Sequence, residues 1–269
     1  MFSGGKMGNH QKANDSKAMI ICGHPRSGTT LLTRLCNTHP DMMLTFEFKC
    51  FKELGVPYDK HVQALRKGWR NRRIVKMPNH RGRLRKRVDS GIFLARYLLA
   101  LQHHRREPID VSIVTNFLHR VFPWATIVGD KWPRYIFMLD KLAAIEDLYR
   151  VAIYRDCRDV VRSRIEQRRG NGKSIPTVQI IVKAWVQAIE MMEQHCDKVH
   201  IIRYEDLVSD PQPVLETLGN WLGVDPQGFR HRMIRPTSVG KYKQGLSEKE
   251  VADIIAVAGP TMQRLGYEV

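Results

Sequence analysis

Apolar positions along the chain gather into short β-branched runs, each followed by a longer stretch with helical spacing. Ala18–Cys22 precedes a helix from Thr29, Ala125–Val128 one from Arg134, Tyr149–Tyr154 one from Arg158, and Val199–Tyr204 the helix Pro211–Leu222. Strand then helix, repeated, predicts an α/β fold: a mostly parallel central sheet with helices on both faces. The spacing also predicts that the longest helix opens at Pro176 and lines up Val178, Ile181, Val182, Trp185, Ile189 and Met192 on one face. Such a stripe is read as core, Trp185 included.

The 269 residues suit one domain with a substantial core. The first 17, rich in Gly, Asn, Lys and Ser, read as a flexible tail ahead of a single domain over 18–269. They lack the apolar centre of a signal peptide or anchor, and no later stretch reaches the ~18 apolar residues of a membrane span. Five cysteines without a C-x-x-C pair argue against a disulfide framework and for a reducing, cytoplasmic setting.

Charge sharpens the picture. Lys and Arg total 44 against 27 Asp and Glu, a formal net charge of +17, so the partner should be anionic. Nine of the eighteen residues from Arg70 to Arg87 are basic and none is acidic. That run reads as a solvated surface, a dock for an acidic acceptor, or a nucleic-acid contact. The last is disfavoured because no aromatics are interleaved for stacking.

The chemistry begins after the first strand. Gly23-His24-Pro25-Arg26-Ser27-Gly28-Thr29-Thr30 has the Gly-x-x-x-x-Gly spacing of a phosphate-binding loop opening a helix. Amides of such a loop converge on an anion, the helix N-terminus adds positive charge, and the two threonines offer hydroxyls. The lysine of a triphosphate loop is replaced by Thr29, and a cation stands three residues earlier as Arg26.

Pro25 to Leu31 resembles the 5′-phosphosulfate loop of the sulfotransferases that use 3′-phosphoadenosine-5′-phosphosulfate (PAPS). Tyr154-Arg155-Asp156-Cys157-Arg158-Asp159-Val160-Val161-Arg162-Ser163 is similar to that family's second signature. The resemblance implies that Arg155 and Ser163 grip the 3′-phosphate, and a guanidinium and a helix hydroxyl suit that task. Weaker likenesses are Gly129-Asp130-Lys131-Trp132-Pro133 to the family's strand-end lysine element, Arg203-Tyr204-Glu205-Asp206-Leu207 to its tyrosine-acidic element, and Arg235 to Lys243 to its nucleotide-closing loop. Pro236 and Thr237 depart from the usual Lys-Gly there. The implied donor site is Arg26, Ser27, Gly28, Thr29, Thr30, Arg155, Ser163, Tyr204, Arg235 and Lys241, in a three-layer P-loop sulfotransferase-like fold. PAPS is the implied donor and PAP the product, with no metal.

Sulfuryl transfer needs a deprotonated acceptor in line with the leaving oxygen, and cations to hold the charge that develops. Arg26 and Lys131 are the expected cations; losing one such fixed donor costs roughly 2.7–4 kcal/mol. Cytosolic members of the family place a histidine two residues past the lysine, where this chain has Pro133. The resemblance to tyrosylprotein sulfotransferases, through His39-Pro40-Asp41 and the residues after it, instead puts Glu47 forward as the base. Phe46 and Phe48 beside it predict a partly desolvated carboxylate with a raised pKa. His80 is the alternative base, whereas His24 and His39 read as turn or packing residues.

The function these readings imply is transfer of a sulfuryl group from PAPS to a hydroxyl, or an amine, of a small-molecule, saccharide or peptide acceptor, an acidic one among the options. A P-loop kinase or NTPase and a non-enzymatic polyanion-binding module are the alternatives. Acceptor choice is expected in loops such as Phe48 to Arg87 and Gln167 to Ser174.

Overall fold

A computed structural model describes residues 17–66, 83–172, 174–234 and 238–269. The tail through Ser16, most of the basic run, and the expected site residues His80 and Arg235 lie outside the described residues.

The strands in chain order are β1 (Lys17–Cys22), β2 (Met42–Phe46), β3 (Val56–Pro57), β4 (Pro108–Ile109), β5 (Ile127–Lys131), β6 (Leu148–Tyr154) and β7 (His200–Arg203). Five of them form the central sheet in the order β2-β5-β1-β6-β7, with every pair parallel. β3 and β4 make a separate antiparallel ladder. Parallel strands leave their C-terminal ends on one edge, so the loops that follow β1, β2, β5 and β6 share it.

The helices are α1 (Thr29–Cys36), α2 (Tyr58–Arg66), α3 (Arg83–Leu101), α4 (Val111–Val121), α5 (Leu139–Leu142), α6 (Cys157–Gly170), α7 (Val178–Gln194), α8 (Tyr204–Ser209), α9 (Pro211–Leu222) and α10 (Glu248–Arg264). Strand β1 shows why three layers form. Its alternate residues Ala18, Ile20 and Cys22 join a core with α4, α6, α7 and α10, while Met19 and Ile21 join a second core with α1, α8 and α9. Each fully buried aliphatic side chain contributes about 1.5–3 kcal/mol.

Several boundaries differ from the sequence expectation. The helix expected from Pro176 begins at Val178, because Thr177 caps it and accepts from the Ile180 amide. It is not the longest; α3, at 19 residues, is. The strand expected at Ala125–Val128 runs from Ile127 to Lys131. The helix expected from Arg134 is a 3₁₀ segment, Pro133–Met138, followed by the single turn of α5. Trp185 is fully buried, as the apolar stripe predicts.

Candidate active site

The loop between β1 and α1 is shaped by two glycines that tolerate no side chain. A Cβ on Gly23 (φ +142°) would lie 2.2 Å from the Ile153 carbonyl oxygen of β6, and one on Gly28 (φ +101°) 2.4 Å from the Tyr204 ring. Gly28 caps α1, whose first turn holds no acidic residue, so the positive end of the helix dipole faces the loop uncompensated. Arg26 has a left-handed φ of 83°, which turns its side chain toward α6. There Arg26 Nε donates to Ser163 Oγ at 2.9 Å.

The second signature forms the corner between β6 and α6. Asp156 caps the helix by accepting from the Arg158 amide at 2.8 Å, and its carboxylate also pairs with the Arg158 guanidinium at 2.7 Å. Arg155 donates to Asp159 Oδ2 at 2.9 Å and to the Ser238 carbonyl, and lies over the Tyr204 ring at 4.6 Å. Asp159 in turn accepts from the Gly240 and Tyr242 amides, both at 2.9 Å. That carboxylate thus ties the C-terminal loop to the corner. The Trp185 indole N–H donates to the Arg155 carbonyl at 3.0 Å, so a core residue fixes the backbone from which Arg155 projects.

The third part comes from β2 and β5. Lys131 Nζ donates to Glu47 Oε1 at 3.1 Å, with side chains 4% and 41% exposed. Phe46 and Phe48 are both buried: the Phe46 ring lies 5.6 Å from the Lys131 ammonium, and Phe48 packs edge-on against Phe93 and Tyr97. Glu47 and Lys49 have φ of 56° and 66°, conformations that cost a non-glycine residue about 1–3 kcal/mol each. Asp130, fully buried, meets that loop with its carboxylate. Burial pushes its pKa up, against four hydrogen bonds from Thr45, Lys49, Tyr135 and Phe48 that favour the charged form.

These parts open into one cleft of about 450 Å³. Of the residues expected from sequence, Arg26, Gly28, Thr29, Thr30, Glu47, Lys131, Arg155, Ser163 and Tyr204 line it. Ser27 is buried behind the lining, and its Oγ meets no partner among the described residues. Lys241 is exposed at the start of a 3₁₀ turn and is not among the lining residues. Sequence reasoning missed Arg134 and Arg164, which also line the cleft, as does Gln167 at the start of a stretch expected to set acceptor choice. Their proximity to the two motifs was the available signal. Burial, then the like charges of Arg168, Arg26 and Arg134, depresses the Arg164 guanidinium from its ordinary pKa. Among the described lining residues five are Arg or Lys and only Glu47 is acidic, an electrostatic trap for a polyanion.

Residues 19–227 match the model of the Sulfotransferase family. The chain belongs to the sulfotransferase family. Among curated relatives of this sulfotransferase is protein-tyrosine sulfotransferase 1 of Danio rerio, 23% identical over 94% of this chain and 73% of the relative. Among solved structures, the sulfotransferase domain of the Synechococcus PCC 7002 olefin synthase superposes with a TM-score of 0.60 at 19% identity, covering 96% of this chain and 98% of that one. Sulfotransferase STF9 of Mycobacterium avium does so with 0.54 at 14% identity, covering 96% and 79%. These likenesses show a common fold, and the α/β sulfotransferase architecture expected from the two motifs is the one observed.

Proposed function

We propose that this sulfotransferase uses PAPS as donor and acts as one domain over 18–269, moving the sulfuryl group to a hydroxyl, or an amine, of a small-molecule, saccharide or peptide acceptor. The observation that carries the reading is the shared cleft: a phosphate-type loop after β1 and the Arg155–Ser163 corner after the neighbouring strand β6 open into it together. A nucleotide phosphorylated at both ends of its ribose requires two anion cradles on one side of a sheet. The residues fit such a group, since the cleft is cationic and the buried Arg155 Nε has no partner among the described residues.

In this reading the amides of Ser27 to Thr30 and the Arg26 guanidinium hold the 5′-phosphosulfate, and Arg155 and Ser163 hold the 3′-phosphate. Tyr204 supplies a ring beside the nucleotide. The proton of the acceptor passes to Glu47. The new bond to sulfur forms as the bond from sulfur to the 5′-phosphate oxygen breaks, and its electron pair leaves on that oxygen. Lys131 and the loop amides hold the resulting charge. The five free cysteines support a reducing, cytoplasmic setting.

The test is mass spectrometry of metabolite and peptide pools incubated with protein and PAPS in excess EDTA. A sulfonate mass added to a discrete acceptor is expected. Transfer seen only with ATP, as a phosphate mass and lost with EDTA, overturns the reading in favour of a kinase.

A further inference from the structure

We propose that Asp130 is a positioning residue: its carboxylate holds the loop after β2 in the conformation that presents Glu47 to Lys131. The inference rests on the reading of Glu47 as the base and goes beyond it by naming what sets that base in place.

Lys131 and Asp130 are consecutive on β5 and deal with the same loop from two directions. The sheet pairing between β2 and β5 ends at Phe46 and Lys131. The chain then turns through left-handed residues at Glu47 and Lys49, where neither side chain favours that backbone. Something must hold it there. The Glu47 amide donates to the Lys131 carbonyl at 2.7 Å, and the next two amides both go to Asp130: Phe48 to Oδ1 at 3.0 Å and Lys49 to Oδ2 at 2.8 Å. Two successive amides converging on one carboxylate form an anion nest inside the protein. The hydroxyls of Thr45, at 2.7 Å, and Tyr135, at 2.8 Å, also donate to it and complete its four donors. Tyr135 OH also accepts from the Phe51 amide at 3.2 Å, extending the hold to the far end of the loop. A buried carboxylate with four donors is costly to desolvate and is stable only with all of them in place. The loop conformation and the Asp130 charge therefore require each other. Glu47 lies between the last sheet pair and the first clamped amide, so the clamp sets the backbone from which its side chain reaches Lys131.

The test is a double-mutant cycle with the full chain, reading single-turnover PAP release from PAPS with water as the acceptor and PAP affinity by calorimetry. Asp130→Asn replaces one acceptor oxygen with a donor facing an amide. It should slow PAP release about 30- to 100-fold while PAP affinity changes less than about twofold. In a Glu47→Gln background the same substitution should change the rate less than about twofold, because the group it positions is gone. An equal loss in both backgrounds would show that Asp130 only supports the fold, and would overturn the proposal. Should Asp130→Asn not fold, Thr45→Val, which removes a single donor, runs the same cycle with an expected loss of about three- to tenfold. Crystal structures of these variants give a reading that needs no turnover: Glu47 is expected to leave its left-handed φ and part from Lys131 beyond 4 Å. An unmoved Glu47 sinks the clamp. A Glu47→Gln protein as fast as wild type sinks the base assignment instead, and the crystal structures still decide the clamp.

Discussion

Arg26 Nε and Ser163 Oγ lie 2.9 Å apart, so the loop after β1 is joined to the second turn of α6 across the mouth of the cleft. The donor hydroxyl that the 3′-phosphate is proposed to use already faces a guanidinium. Ser163→Ala removes one hydrogen bond to a charged group, worth about 1.5–3 kcal/mol. PAP affinity by calorimetry should fall about tenfold or more, with thermal stability nearly unchanged. Unaltered affinity would remove Ser163 from the site.

Arg155→Ala is expected to cost more than a ligand contact. Arg155 and Asp159 are a buried pair, with side chains 8% and 1% exposed, and deleting the arginine leaves a buried carboxylate that, among the described residues, accepts from the Gly240 and Tyr242 amides. Breaking such a pair costs about 3–5 kcal/mol. Melting temperature and PAP affinity should therefore drop together. Adding Asp159→Asn should recover part of the stability and none of the affinity. If the double variant regains affinity as well, Arg155 is structural only.

Gly28→Ala should abolish PAP binding at micromolar nucleotide and lower the melting temperature. The added methyl meets the Tyr204 ring at 2.4 Å on a backbone of φ +101°. Tyr204→Ala in the same chain relieves the contact but not the backbone, so rescue should be incomplete. Full rescue would mean that the loop conformation is not needed.

His24 gives stability a pH dependence. Burial, helped by the charges of Arg164 and Arg134 and opposed by a backbone hydrogen bond at Pro25, lowers its pKa from 6.5 to about 4. Between those values the unfolded chain binds a proton that the folded chain refuses, so stability is lost as pH falls through that window, by about 3 kcal/mol in all. Urea unfolding of wild type and His24→Gln from pH 7 to 4 checks this. The wild type should lose more stability than the variant; parallel curves would show that His24 titrates alike in both states.

Contiguous features were legible in the sequence and long-range ones were not. Gly23 to Thr30 and Tyr154 to Ser163 could be read because each cradle is a local backbone device at one strand-to-helix turn. Their common cleft follows from β1 and β6 being neighbours, which a strand-helix alternation allows but does not specify. β2 was missed because Met42–Phe46 is buried on both faces and so shows no alternation. β5 was displaced because Gly129, Asp130 and Lys131 look like a turn, yet are interior. Gly129 lets the Met19 carbonyl of β1 approach, where a Cβ would lie 1.8 Å away, and Asp130 finds its donors on β2, on the loop beyond it and at Tyr135. Glu47 was reached by family likeness; its exposure depended on where Phe46 and Phe48 pack. His24 and His39 do prove to be packing and turn residues: His24 is buried, and His39 bonds the Asp225 carbonyl and the Asp41 amide.

The crossover from β1 to β6 passes through β2 and β5 before the two halves of the cleft become neighbours. A fragment that ends before α6 carries only one of the two cradles, and closing so long a loop is slow. A nascent chain released from the ribosome before β6 would own a phosphate loop with nothing opposite it. Nucleotide capture thus becomes a readout of folding through α6, and translation products that stop before it would be silent in any assay built on it.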